Sequence, residues 1–393
     1  MRLLAGVVAA LVLAGAAEAQ PGVGVDARIR QYEEITRQAD EPAVEWLLAE
    51  AYAEAGRTAD AVAVLQKLAG RRMGFAPDGL SPLKRLAGDP AYDRIAAQLH
   101  ADAPKVRRGR TAFTIARTGV VPEGIAYDAR AGRVFVGDMH ARTVLAVDRV
   151  GRVSTFAPAM SLTPLGMKVH GGRLWVATTN GFTDAKARRA ELVAFDLRTG
   201  RRVGAWTHPE AQSFNDFDFA PDGAAYVSDS LGGAVFRLAA GRMERLTPAG
   251  GLGYPNGVAV TDDGRHVFVA QGVSLRRIDT ATKEITRVGN PPGLTSLGSD
   301  GLYWRDGALL AVQNGGTPGR VVRFRLSPER DRITGFELLE AGNPAFDVPT
   351  TAAIGSDRMY VLANAQIDRL REDGRLDPAK PLHPIQILEI PLG

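Results

Sequence analysis

The chain has 393 residues and no cysteine, and 45% of it is hydrophobic, which supports a packed core and excludes a wholly disordered chain. Its 48 Lys and Arg stand against 44 Asp and Glu, and no basic run would track a phosphate backbone, so no nucleic-acid partner is expected. Without cysteine there is no disulfide frame, thiolate nucleophile or cysteine-type zinc site, so any metal must be held by oxygen or histidine nitrogen.

In chain order, residues 1–19 read as a secretory signal peptide. Arg2 gives the positive start, Leu3 to Gly15 an apolar stretch too short to span a bilayer, and Ala17-Glu18-Ala19 a small-residue cleavage site. The mature chain would begin at Gln20. No later stretch is long and apolar enough for a membrane helix, and no cysteine follows to carry a lipid anchor. A periplasmic or secreted protein without a membrane span is expected.

Residues 20–110 read as a small helical region and linker, rich in Ala, Leu, Glu, Arg and Gln. Pro42 to Gly56 reads as an amphipathic helix with Pro42 at its start and Gly56 as its cap. Thr58 to Leu68 reads as a second helix, with further helices near Ile29–Ala39 and Tyr92–His100. The positions of Trp46, Leu47, Ala51, Tyr52, Gly56, Ala61 and Leu65 resemble one tetratricopeptide unit. A lone unit cannot bury its own face, so a packing cap is preferred to a groove for a protein partner.

After Lys105 the text changes to short β-runs broken by Gly, Asp and Pro. Residues 111–393 contain six copies of a multi-strand pattern. Their first strands open at Gly124, Gly166, Asp216, Gly257, Gly301 and Ala352, with starts 41 to 51 residues apart. That period predicts a β-propeller. Five copies have a fourth strand, whereas the sixth lacks one and Thr111–Ala116 is spare. The expected fold is therefore mainly β: a six-bladed propeller closed by its N-terminal strand and preceded by the helical region.

The residues just before the innermost strands are Glu123, Leu165, Asn215, Asn256, Asp300 and Thr351. Ring geometry brings this position to the axis in every copy. Two carboxylates and two amides among them suit one hard divalent cation: Ca²⁺ first, with Mg²⁺, Mn²⁺ or Zn²⁺ as alternatives. Asn or Asp before Gly also marks ordinary turns. The shared register of four residues, with Glu123 among them, favours the metal reading.

Pro122-Glu123-Gly124, Phe214-Asn215-Asp216-Phe217-Asp218, Pro255-Asn256-Gly257-Val258 and Ser299-Asp300-Gly301 resemble the motifs of the regucalcin/gluconolactonase superfamily of six-bladed propellers. The resemblance covers the propeller and not the helices. It implies metal ligation by Glu123, Asn256 and Asp300, with Asn215 as a fourth ligand or a substrate contact. It also implies metal-dependent hydrolysis of a small lactone or related ester. Two departures are Leu165 in the second copy and Gly301, where the more distant paraoxonases place another amide. In the chemistry this implies, a water attacks a polarised carbonyl and Asp300 acts as base or nucleophile. His140, on a strand-exit loop of the same face, is the best additional base. Asp138, Asn180, Asp229, Ser230, Gln271, Gln313, Asn314 and Asn364 occupy comparable loops. Ser228-Asp229-Ser230 lacks the glycine-bracketed setting of a serine-hydrolase elbow. The alternative reading is a non-catalytic propeller that binds a ligand or protein around a structural Ca²⁺.

Overall fold

A computed structural model describes residues 24–38, 42–71, 74–77, 81–184, 186–272, 274–291, 294–315, 318–371 and 373–393. The signal-peptide segment 1–19 lies outside the described residues. Four α-helices come first: α1 (Val25–Gln38), α2 (Pro42–Glu54), α3 (Thr58–Ala69) and α4 (Pro90–Asp102). Gly56 takes φ +73° after α2. Its N–H donates to Ala53 O, and that of Arg57 to Tyr52 O, which together stop the helix in a Schellman turn.

The amphipathic expectation for α2 does not hold, because residues Pro42 to Ala53 are buried on every side. Glu45 and Glu50 tolerate this because each has a partner. Lys67 and, at 3.6 Å, Arg71 meet Glu45. Ser81 Oγ donates to Glu50 at 2.8 Å. One side of the helical core is closed by the propeller itself. Leu297 joins the cluster of Trp46, Leu68 and Leu99, and the Arg320 guanidinium lies 4.2 Å over the Phe75 ring.

Six four-stranded antiparallel sheets form the propeller. Five are made of consecutive strands. The sixth runs Ala352–Ile354, Arg358–Leu362, Ile385–Pro391 and then Arg110–Ile115 from the other end of the chain. Thr114 pairs with Gln386 and Ile115 with Ile385. The ring thus closes by hydrogen bonds, as expected, and the last blade keeps no open edge there. Apolar side chains fill the wedges between blades. Trp175 and Leu192 of the second blade meet Phe214, Phe217 and Phe236 of the third.

The innermost strands are Pro122–Asp128, Thr163–His170, Phe214–Phe219, Pro255–Val260, Ser299–Arg305 and Ala352–Ile354. In five of them the pairing register slips at one place: between Pro122 and Ile125, Pro164 and Met167, Phe214 and Phe217, Pro255 and Val258, and Ser299 and Leu302. The residues freed from the ladder include Glu123, Leu165, Asn215, Asn256 and Asp300. These positions were expected just ahead of the strands. They lie inside them instead, at a repeated β-bulge, a device that re-aims a side chain without ending the strand. Glycine follows the site residue in four of these five strands because the backbones converge. A Cβ on Gly124 would lie 2.0 Å from Leu165 O, and one on Gly257 2.0 Å from Asp300 O.

Residues 363–384, between the second and third strands of the sixth blade, form an insertion across the end of the channel. Ile367, Leu370, Leu376 and Leu382 pack on Val121, Met139 and Leu165. Arg369 ties the insertion to Asp347 at 2.7 Å. Asn364 Nδ2 closes its base on Pro384 O at 3.0 Å.

Candidate functional site

Glu123, Asn215, Asn256 and Asp300 line one cavity at the propeller axis, with Asn314, Leu165, Met139, Phe182, Val348 and Ile367. The cavity leaves about 20 Å³ for the centres of water-sized spheres, room for about one or two waters.

The Asn215 and Asp300 side chains are held from behind. Asn215 Nδ2 donates to Ser230 Oγ at 2.8 Å, and Ser230 Oγ donates to Pro255 O at 2.7 Å. Asn314 Nδ2 donates to Asp300 Oδ2 at 2.6 Å. The Glu123 carbonyl accepts from Thr351 Oγ1 at 2.6 Å and Thr350 Oγ1 at 3.1 Å, which joins the sixth blade to the first. Even so, Glu123 Oε2 and Asp300 Oδ1 are buried with no hydrogen-bond partner.

Electrostatics follow from this arrangement. Burial first, then the charges of Asp300 and Asp216, push the Glu123 carboxyl well above the usual carboxylate range. Burial lifts Asp300 to about 7, partly offset by hydrogen bonds from Asn314 and Asn256 and reinforced by Asp216. Asp216 is also raised by burial, against the pull of Lys168. Two buried like charges share the cavity, and no basic side chain lines it. Among the described residues no three His, Cys, Asp or Glu gather at metal-binding spacing. The candidate donor set is mixed, two carboxylates and two amides.

The strand-exit loops serve mostly as clamps. Asp138 accepts from the N–H groups of Val121, His140 and Ala141. Asp229 does the same for Gln212, Ser213 and Gly232. Gln313 Nε2 donates to Leu297 O at 2.9 Å while its Oε1 accepts from Arg320. Asn314 is the member of that group that reaches the carboxylates. His140 is exposed, its Nδ1 3.2 Å from Gly374 O, and it does not line the cavity.

Sequence reasoning missed Met139, Phe182, Val348 and Ile367, which come from four separate loops. It also missed Tyr254, whose hydroxyl is buried without a partner and whose pKa is raised by burial and then by Asp300 and Glu123. Val348 and Tyr254 take φ of 57° and 50°. Left-handed backbone at a β-branched residue is strained, and such strain collects at functional sites.

Fold and site together define a six-bladed propeller with oxygen donors clustered at its axis. Residues 121–310 match the family model described as "SMP-30/Gluconolactonase/LRE-like region", a span that holds Glu123, Asn215, Asn256 and Asp300. Over those residues the propeller is similar to the regucalcin/gluconolactonase type. Among solved structures, the gluconolactonase of Xanthomonas campestris is similar at 17% identity and a TM-score of 0.50, over 71% of this chain and 89% of that one. A catalytically inactive virginiamycin B lyase of Staphylococcus aureus is similar at 14% identity and a TM-score of 0.50, over 72% and 99%. At these identities the likeness is one of fold. No curated protein matches the sequence.

Proposed function

We propose that the propeller is a divalent-cation-dependent hydrolase of lactones or related esters. The carrying observation is the pair of orphaned, buried carboxylate oxygens, Glu123 Oε2 and Asp300 Oδ1, in one cavity with two amides. Burying two like charges unpaired is unfavourable, and a hard cation with oxygen ligands removes that cost. Glu123, Asn256 and Asp300 would hold Ca²⁺. Asn215 commits its amide nitrogen to Ser230 and so leaves Oδ1 for the cation or the substrate. When bound, the cation supplies Lewis-acid polarisation of the substrate carbonyl. Asp300 would take a proton from the attacking water and pass it to the alkoxide oxygen that leaves as the C–O bond breaks, while Asn314 holds its Oδ2. Met139, Phe182 and Ile367 exclude bulk water from this exchange. A signal peptide over residues 1–19 would leave a mature N-terminus at Gln20, which N-terminal sequencing of the exported protein would read. The helices act as a cap whose inner face is filled by Leu297.

The narrow cavity favours a second reading, a non-catalytic propeller with a structural Ca²⁺. Chelation separates the two. Under the hydrolase reading, lactone ring opening stops when the cation is removed and returns with Ca²⁺. Ring opening that survives complete removal overturns the mechanism. A tightly held cation with no turnover across lactones and esters selects the structural reading.

A further inference from the structure

We infer that the site takes lactones or esters bearing an alkyl or other apolar substituent in preference to polyhydroxylated sugar lactones. This rests on the hydrolase reading and narrows its substrate. Outside the four oxygen-bearing residues, the cavity wall is Met139, Leu165, Phe182, Val348 and Ile367. The remaining polar side chain, Asn314, already donates to Asp300. Among the described residues no arginine, lysine, histidine, serine or tyrosine lines the cavity. A sugar lactone carries hydroxyls around its ring, and each would give up water there without gaining a partner. An alkyl chain needs no partner and is favoured by leaving water.

The apolar surface is also placed to one side. Five copies carry a polar residue at the ring position, and the second carries buried Leu165. Met139 and Phe182 lie on strand-exit loops of the first and second blades, flanking that sector. The insertion covers the same sector, with Leu370, Leu376 and Leu382 continuing the surface that Ile367 begins. A substrate with its carbonyl at Glu123, Asn256 and Asp300 therefore meets apolar side chains, not hydrogen-bonding groups, at Leu165 and the insertion.

The test compares glucono-δ-lactone with δ-lactones bearing methyl, propyl and pentyl groups, using the full chain with Ca²⁺. The expected kcat/KM rises roughly three- to fourfold per added methylene, and the pentyl lactone exceeds glucono-δ-lactone at least about tenfold. Leu165→Asn and Phe182→Ser should flatten the rise. The unmodified protein carries the test even if either variant fails to fold. Opening of glucono-δ-lactone as fast as the pentyl lactone, or no rise with chain length, overturns the inference and leaves the hydrolase reading standing. If no lactone opens, the hydrolase reading fails and titration calorimetry decides the inference separately. Saturable binding of the pentyl lactone without binding of glucono-δ-lactone supports it, and no binding of the pentyl lactone overturns it.

Discussion

The helical region and the propeller axis bury the same chemistry in opposite ways. In α2, Glu45 and Glu50 are enclosed, but Lys67, Arg71 and Ser81 reach them. At the axis, Glu123 and Asp300 are enclosed to a similar degree; each keeps one oxygen without a hydrogen bond, as Glu45 and Glu50 also do, but no basic side chain lines their cavity. Burial of a carboxylate alone therefore says little about function. What sets the axis acids apart is that the chain brings no basic side chain into their cavity, whereas Glu45 has Lys67 and Arg71.

The largest expected break in that contrast is Asp300→Asn. It keeps the shape and removes both the base and half of the cavity's charge. Lactone turnover at saturating Ca²⁺ should fall by at least about a hundredfold, read from initial rates. A loss under tenfold would remove Asp300 from the chemistry.

Next in size is the pH response of the cation-free protein. A carboxyl raised on folding keeps its proton in the native state after the unfolded chain has lost it. Stability is then fully present below the unfolded value and declines as pH rises to the folded one. For Asp300 the window runs from 3.8 to about 7, and Glu123 shifts in the same direction. Denaturant midpoints should fall across that window after chelation, and added Ca²⁺ should flatten the decline by holding both groups ionised. An equal slope with and without Ca²⁺ would count against a cation at this site.

A paired substitution sharpens the contrast further. Glu123→Gln relieves repulsion, so the chelated protein should gain about 2–4 °C in Tm per kcal/mol relieved while Ca²⁺ affinity falls. Glu45→Gln should lose about 1–3 kcal/mol with or without Ca²⁺, because it breaks the ion pairs of a buried carboxylate, and turnover should not change. Thermal melts and calcium titrations read both. If Glu123→Gln also destabilised the chelated protein, the two regions would be alike after all.

Much of this contrast was legible before folding. The repeat and its register carried Glu123, Asn215, Asn256 and Asp300 to one level, because a propeller converts sequence period into position. The bulge was not legible. Asn256-Gly257 and Asp300-Gly301 read equally as turns, and only converging backbones show that the glycine answers to a neighbouring carbonyl. The apolar wall was hidden for another reason. Met139, Phe182, Val348 and Ile367 share no period and meet only when the ring closes. In α2 the acids suggested a wet face. Their partners lie 22 to 31 residues away in the chain, from Lys67 for Glu45 to Ser81 for Glu50, where local patterning is blind.

His140 gives the smallest expected effect and the finest test of the same distinction. It occupies the same kind of strand-exit loop as Asn314, and by residue type it is the better base. Reach decides against it. Asn314 lies 2.6 Å from Asp300, whereas the His140 ring turns outward to the Gly374 carbonyl of the insertion. An exposed histidine held by one hydrogen bond contributes little to stability. His140→Ala should therefore change kcat/KM by less than about threefold, below the range usual for loss of a general base. The pH–rate profile should keep its shape. A hundredfold loss would mean that the insertion swings during turnover and brings His140 inward, and the cavity's apolar cover would then be part of the catalytic cycle.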